Sequence, residues 1–233
     1  CPSCERGRPN FCMNRLNLVR GGWADQVVID RRHIVPLPNG ADVVAASLTE
    51  PLACVLRGYD RVTVTPEDTV FVAGSGPIGL LALQVAKHQD AGQTIVSEPN
   101  ATRRSVAAQL GADCILDPTT DDVPSAVRDM TKGFGADLSI EAAGANAAFE
   151  ACLSAVRDAG TVLVLSVGNP ATTFELRPFD LLQTAFGVDS GFSQHRLRPF
   201  AKRQIAPGRL LCSCGTSCGL LARCRSPPAR KCA

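Results

Sequence analysis

The sequence is poor in aromatics, with one Trp, one Tyr and nine Phe in 233 residues. It has only three His. No apolar run is long enough to cross a membrane, which excludes a spanning helix, and no signal-peptide pattern is present. Acids are missing from residues 190–233, which hold seven Arg and two Lys. That basic stretch lacks the aromatic interleaving and paired Cys/His spacing of a nucleic-acid module, so no nucleic-acid partner is expected. The eleven Cys do not form an evenly spaced disulfide framework. Cys1, Cys4 and Cys12 group at the start, Cys54, Cys114 and Cys152 are scattered, and the rest crowd residues 212–232. A cytoplasmic protein is expected, with Cys114 and Cys152 as small buried apolar residues. The sequence starts on Cys1 without an initiator Met and reads as an internal piece of a longer protein.

What is present is a regular alternation. Short β patterns occupy 24–30 and 33–38, and a helix is expected over 49–60. From Thr69 the pattern becomes strand, helix, strand. Strands are predicted at 69–73, 93–97, 114–116, 137–141 and 161–165. Helices are predicted at 77–87, 101–110 with Asn100 as cap, 122–132 with Pro124 in the first turn, 145–157 and 178–184. This is the signature of an α/β protein with a doubly wound parallel sheet. The pattern stops near Gly187. Residues 190–233 are Arg, Pro, Cys, Ser and Gly rich without a period. A frame-shifted reading is expected there, with a disordered basic tail as the alternative.

The densest signal is Gly74-Ser-Gly76-Pro77-Ile78-Gly79, between a strand pattern and a helix pattern. Glu98 follows Gly79 by nineteen residues, at the end of the next apolar run. Together these form the dinucleotide-binding fingerprint. Gly74 permits the tight turn, Gly76 lets the backbone approach a pyrophosphate, and Gly79 lets helix and strand pack closely. The helix N-terminus offers N–H groups and a positive dipole end. An acid at position 98 binds ribose hydroxyls and repels a 2′-phosphate, which selects NAD. Arg103 follows on the next helix and is expected beside the adenosine.

Cys1-x-x-Cys4-x₇-Cys12 has the character of a tetrahedral zinc site, although a closed one takes four ligands. Glu50 starts a helix, where its charge suits the macrodipole. Cys54 lies one turn further on the same face, and a buried packing role is expected for it. The three His stand without a paired ligand or orienting carboxylate, so no catalytic role is expected for them.

These motifs resemble the zinc-dependent medium-chain dehydrogenase/reductase family of alcohol, polyol, butanediol and threonine dehydrogenases. Cys1-Pro-Ser-Cys4-Glu-Arg-Gly7-Arg-Pro-Asn10-Phe-Cys12 is similar to the last three cysteines of its structural-zinc lobe. Gly21-Gly22-Trp23-Ala24-Asp25, Thr49-Glu50-Pro51-Leu52-Ala53 and Glu141-Ala-Ala143-Gly144 are similar to further family segments. The likeness runs from Cys1 to about Gly187. It implies that residues 1–48 are the remnant of a GroES-like β-barrel catalytic domain and 49–64 a connecting helix. Residues 65–189 would be a Rossmann NAD-binding domain and 190–233 an irregular tail.

By the same resemblance, Cys1, Cys4 and Cys12 bind a structural zinc, and Glu50 is associated with the catalytic zinc. Ala143, Gly144, Val167 and Gly168 line the nicotinamide side. The implied reaction moves hydride between a small-molecule alcohol or polyol and NAD, with zinc as Lewis acid. The other catalytic-zinc ligands would lie upstream, so the chain alone is expected to be inactive. A homo-oligomer is implied for the intact protein. A zinc-free quinone reductase and a non-catalytic NAD-binding or nucleic-acid-binding module are the alternatives. The cysteine lobe and Glu50 argue against the first.

Overall fold

The computed structural model describes residues 1–7, 12–13, 24–29, 31, 34–169, 171 and 173. The elements in chain order are α1 (Pro2–Glu5), α2 (Val43–Ala46), α3 (Thr49–Tyr59), β1 (Thr69–Ala73), α4 (Pro77–His88), β2 (Gln93–Ser97) and α5 (Ala101–Gln109). They continue with β3 (Cys114–Leu116), α6 (Val123–Met130), β4 (Ala136–Glu141), α7 (Asn146–Ala155) and β5 (Val156–Val164). The five strands form one parallel sheet in the order β3-β2-β1-β4-β5.

The central strand explains why the sheet is covered on both sides. All five residues of β1, Thr-Val-Phe-Val-Ala, are buried, as expected of an unbroken apolar run in a parallel sheet. Successive side chains point to opposite faces. Val70 and Val72 pack on one face with Leu138, Ile140 and helices α3 and α4. Phe71 and Ala73 pack on the other with Val127 of α6 and Cys152 of α7. Helix α3 is pinned to α4 by the buried Tyr59, whose hydroxyl donates to the Ala82 carbonyl at 2.8 Å.

Local signals set the helix starts. The Asn100 side chain accepts from the Arg103 N–H at 3.0 Å, and Asp122 caps α6 through the Ser125 N–H at 3.2 Å. Both match the expected N-terminal chemistry. His88 ends α4 and is exposed. The fifth strand differs from expectation. Thr161–Val164 pair with Leu138–Glu141, but the strand begins at Val156, and the register shifts between the two stretches. Helix α7 accordingly stops at Ala155, two residues before the predicted end.

The β patterns read at 24–30 and 33–38 are not strands over their described residues, 24–29 and 34–38. Val28 and Val35 are exposed there. A strand needs a neighbour for its N–H and C=O groups, and the sheet among the described residues uses none of this segment. Among the described residues of 1–48 no strand occurs. The helix read at 178–184 lies outside the described residues. Among those described, no helix is long and apolar enough to cross a membrane.

Candidate nucleotide site and thiol cluster

Strand order makes the crevice. Strand β2 lies on one side of β1 and β4 on the other, so the connections after β1 and β4 diverge at the carboxyl edge. Ligands of doubly wound sheets bind at such a switch point. Ala73 is in register with both Ser97 and Glu141, which levels the loops that follow.

The glycine loop leaves β1 here. Gly74 has φ +99°, a left-handed conformation that Gly adopts without a Cβ penalty. A Cβ on Gly79 would stand 1.9 Å from the Gly74 carbonyl oxygen, so only glycine lets α4 start against the turn. A Cβ on Gly76 would meet nothing within 4 Å, which leaves open space beside the loop. Pro77 occupies the first turn of α4, and no side chain caps that helix. Its N-terminal N–H groups remain available to an anion. This cradle fits a pyrophosphate.

Glu98 closes the loop on the β2 side and is 3% exposed. Its Oε2 accepts from the Ser75 N–H at 2.8 Å and from the Ser75 hydroxyl at 3.3 Å. Its Oε1 accepts from the Asn100 N–H at 3.0 Å. A carboxylate has about four acceptor directions, so one on Oε1 remains for a ribose hydroxyl. The Arg103 guanidinium stands 3.9 Å from that oxygen and is largely exposed. Arg104 is committed elsewhere. Its Nη1 donates to the Glu98 and Pro99 carbonyls at 2.7 Å each, and its Nη2 pairs with Asp117 at 2.8 Å. The Asp117 carboxyl is held below its usual range, first by hydrogen bonds from Thr119 and also by Arg104.

Across β1, Ala143 and Gly144 follow β4, and Val167 and Gly168 follow β5. A Cβ on Gly74 would lie 3.0 Å from the Ala143 backbone nitrogen, and one on Gly144 would lie 3.2 Å from the Val167 carbonyl oxygen. The predicted loop residues thus meet along one edge. Ser75, Arg104, Asp117 and Ser166 also brace this edge. Of these, Arg104 follows Glu98 closely enough in the sequence to be read with Arg103 as flanking the adenosine, whereas nothing in their sequence context marks the bracing roles of Ser75, Asp117 and Ser166, whose partners lie in other loops.

The second feature is the thiol cluster. Cys1 caps the single turn of α1, which carries Cys4, and the cysteines stand three apart, on one side of a helix. The Cys1 and Cys4 sulfurs are 3.6 Å apart, and those of Cys1 and Cys12 are 3.9 Å apart. A tetrahedron with Zn–S near 2.3 Å has S···S edges of about 3.8 Å, so the three thiols fit three corners. The Cys4 thiol is raised, first by its hydrogen bond with Cys12. No other group of three metal-ligating side chains occurs among the described residues.

Glu50 is exposed at the start of α3. Cys54 is half-buried rather than buried, and its thiol donates to Glu50 Oε1 at 3.5 Å. Partial burial and the Glu50 charge push this thiol up. In place of the packing role expected for Cys54, the described residues give its thiol a polar contact and leave it half-buried. Cys152 is fully buried, as expected. A cavity of about 220 Å³ lies at the opposite, amino edge of the sheet among Arg61, Asp68, Asp137 and Arg157. It is remote from the glycine loop, and Asp137 is already bound by Arg157 at 2.6 Å and by the Thr69 N–H at 2.7 Å.

The zinc-binding dehydrogenase family profile matches residues 77–199, and the chain belongs to this family. It is 36% identical over 220 residues to an L-threonine 3-dehydrogenase of Pyrococcus furiosus, covering 89% of this chain and 62% of that protein. It is 38% identical over 159 residues to a scyllo-inosose 3-dehydrogenase of Thermotoga maritima, covering 62% and 40%. Among solved structures it resembles a zinc-binding dehydrogenase from Sinorhizobium meliloti bound to NADP. There the TM-score is 0.72 at 35% identity, covering 78% of this chain and 55% of that one. The chain therefore spans between 40% and 62% of the length of these relatives.

Proposed function

We propose that the protein represented by this chain transfers hydride between a secondary alcohol or polyol and NAD, with zinc at the substrate oxygen. The observation that carries this reading is the uncapped glycine loop and the buried Glu98 side by side at the switch point. When bound, NAD supplies the hydride acceptor and zinc a Lewis acid. The chain's own residues bind and orient. The α4 N–H groups hold the pyrophosphate next to Gly76, Pro77, Ile78 and Gly79. Glu98 accepts from a ribose hydroxyl and disfavours a 2′-phosphate, and Arg103 flanks the adenosine. Ala143, Gly144, Val167 and Gly168 line the nicotinamide side. Cys1, Cys4 and Cys12 hold a structural zinc, and Glu50 faces the catalytic one. In the domain reading, residues 1–48 belong to a GroES-like catalytic domain, 49–64 connect, and 65–189 bind the cofactor, with 190–233 an irregular tail. The intact protein is read as a cytoplasmic homo-oligomer without a nucleic-acid partner.

One observation favours NADP instead: the exposed Arg103 beside Glu98, with NADP bound in the Sinorhizobium relative. Fluorescence titration of NADH and NADPH against the 233-residue chain separates the two. We expect NADH to bind more tightly, and Glu98→Ala to weaken it about tenfold by removing a buried acceptor. Tighter NADPH binding overturns the NAD assignment. The chain offers Glu50 alone of the catalytic-zinc ligands, so no turnover is expected from it. Zinc-dependent alcohol oxidation by these residues overturns that ligand assignment.

A further inference from the structure

Glu141 ends β4 and is 2% exposed. Buried carboxylates are retained when they are fully hydrogen-bonded, and this one joins separate loops. Its Oε1 accepts from the Ala143 N–H at 2.8 Å and the Gly144 N–H at 2.7 Å. Its Oε2 accepts from the Ser166 hydroxyl. Its own carbonyl accepts from the Leu165 N–H at 2.9 Å, and Ala142 donates to the Ala73 carbonyl at 2.9 Å. One side chain therefore ties the loop after β4 to the loop after β5, against the end of β1.

Glu98 makes the corresponding brace on the β2 side, between Ser75 and Asn100. A dinucleotide whose adenosine lies by Glu98 and whose pyrophosphate lies on the glycine loop has its other half over β4 and β5. We propose that Glu141 is a positioning residue for the nicotinamide half of the cofactor. It acts through the backbone of 143–144 and through Ser166, setting the platform without touching the ring. This rests on the nucleotide reading above. Loss of the brace frees two loops and takes from the half-buried Ala143 and Gly144 N–H groups the carboxylate that orients them. Gln in its place keeps an acceptor for those N–H groups and a donor for the Ser166 hydroxyl.

The test compares NADH with ADP-ribose, which shares everything except the nicotinamide, by calorimetry on the full 233-residue chain. Glu141→Ala is expected to weaken NADH about tenfold, with ADP-ribose within about twofold, the scale on which misplaced positioning groups act. Glu141→Gln is expected to restore most of the NADH affinity. Ser166→Ala, which removes one brace from the rim, is expected to show a smaller selective loss and serves if Glu141→Ala does not fold. Equal weakening of both ligands, or no change in either, overturns the positioning role while leaving the nucleotide site standing. A wild-type chain that binds neither ligand removes the nucleotide reading and the positioning role together.

Discussion

Cys1, Cys4 and Cys12 stand on a one-turn helix and a loop with no buried residue in α1, whereas the glycine loop grows from a strand buried at every position. The loop's shape is imposed by what surrounds it. Gly79 touches the Gly74 carbonyl, Ala143 crowds Gly74, and Glu98 holds Ser75. The thiols lie within 4.8 Å of one another, and the α1 turn that carries Cys4 buries none of its own residues. Packing thus preorganises the glycine loop before any ligand arrives, while the proposed thiol site would take its rigidity from a bound metal.

Two glycine substitutions separate packing from ligand space. Gly79→Ala drives a methyl into the Gly74 carbonyl. It should cost about 3 kcal/mol in chemical denaturation, as overpacking against backbone does. Gly76→Ala meets open space and should leave the melting midpoint nearly unchanged, while NADH binding falls steeply in titration. Equal stability of the two variants breaks the contrast.

The thiol cluster should respond to metal instead. The raised Cys4 thiol is protonated at neutral pH, so zinc displaces protons and its affinity rises with pH. Proton release on zinc addition, measured in weakly buffered solution, checks this, and Cys4→Ser should abolish it. Chelation should expose these thiols to a thiol reagent without shifting the melting of the sheet.

The smallest effect is expected inside the sheet. Ser139 is fully buried in β4, and its hydroxyl has no partner among the described residues. Ser139→Ala should stabilise by about 1 kcal/mol, because an unpaired buried hydroxyl is unfavourable. That is a rise of about 3 °C by calorimetry. A fall in the midpoint reveals an unseen partner.

Most of the sheet was legible because each element carries its own chemistry: apolar runs of strand length, Asn100 and Asp122 at helix starts, glycines at the turn. The segments at 24–29 and 34–38 show the limit. Their alternation matches a strand, but a strand is a pairing, and pairing cannot be read from one segment. The start of β5 was misplaced for a related reason, since a register shift depends on the neighbouring strand.

The candidate site divides along the same line. Gly74, Gly76, Gly79, Glu98 and the three cysteines are set by spacing, because turn geometry and ligand spacing are local properties of the chain. The bracing of Ser75 by Glu98, of Arg104 by Asp117 and of Ser166 by Glu141 spans 23, 13 and 25 residues. Only the tertiary structure decided those contacts. Parallel strands bring their carboxyl ends to one edge, so residues far apart in the chain become neighbours there.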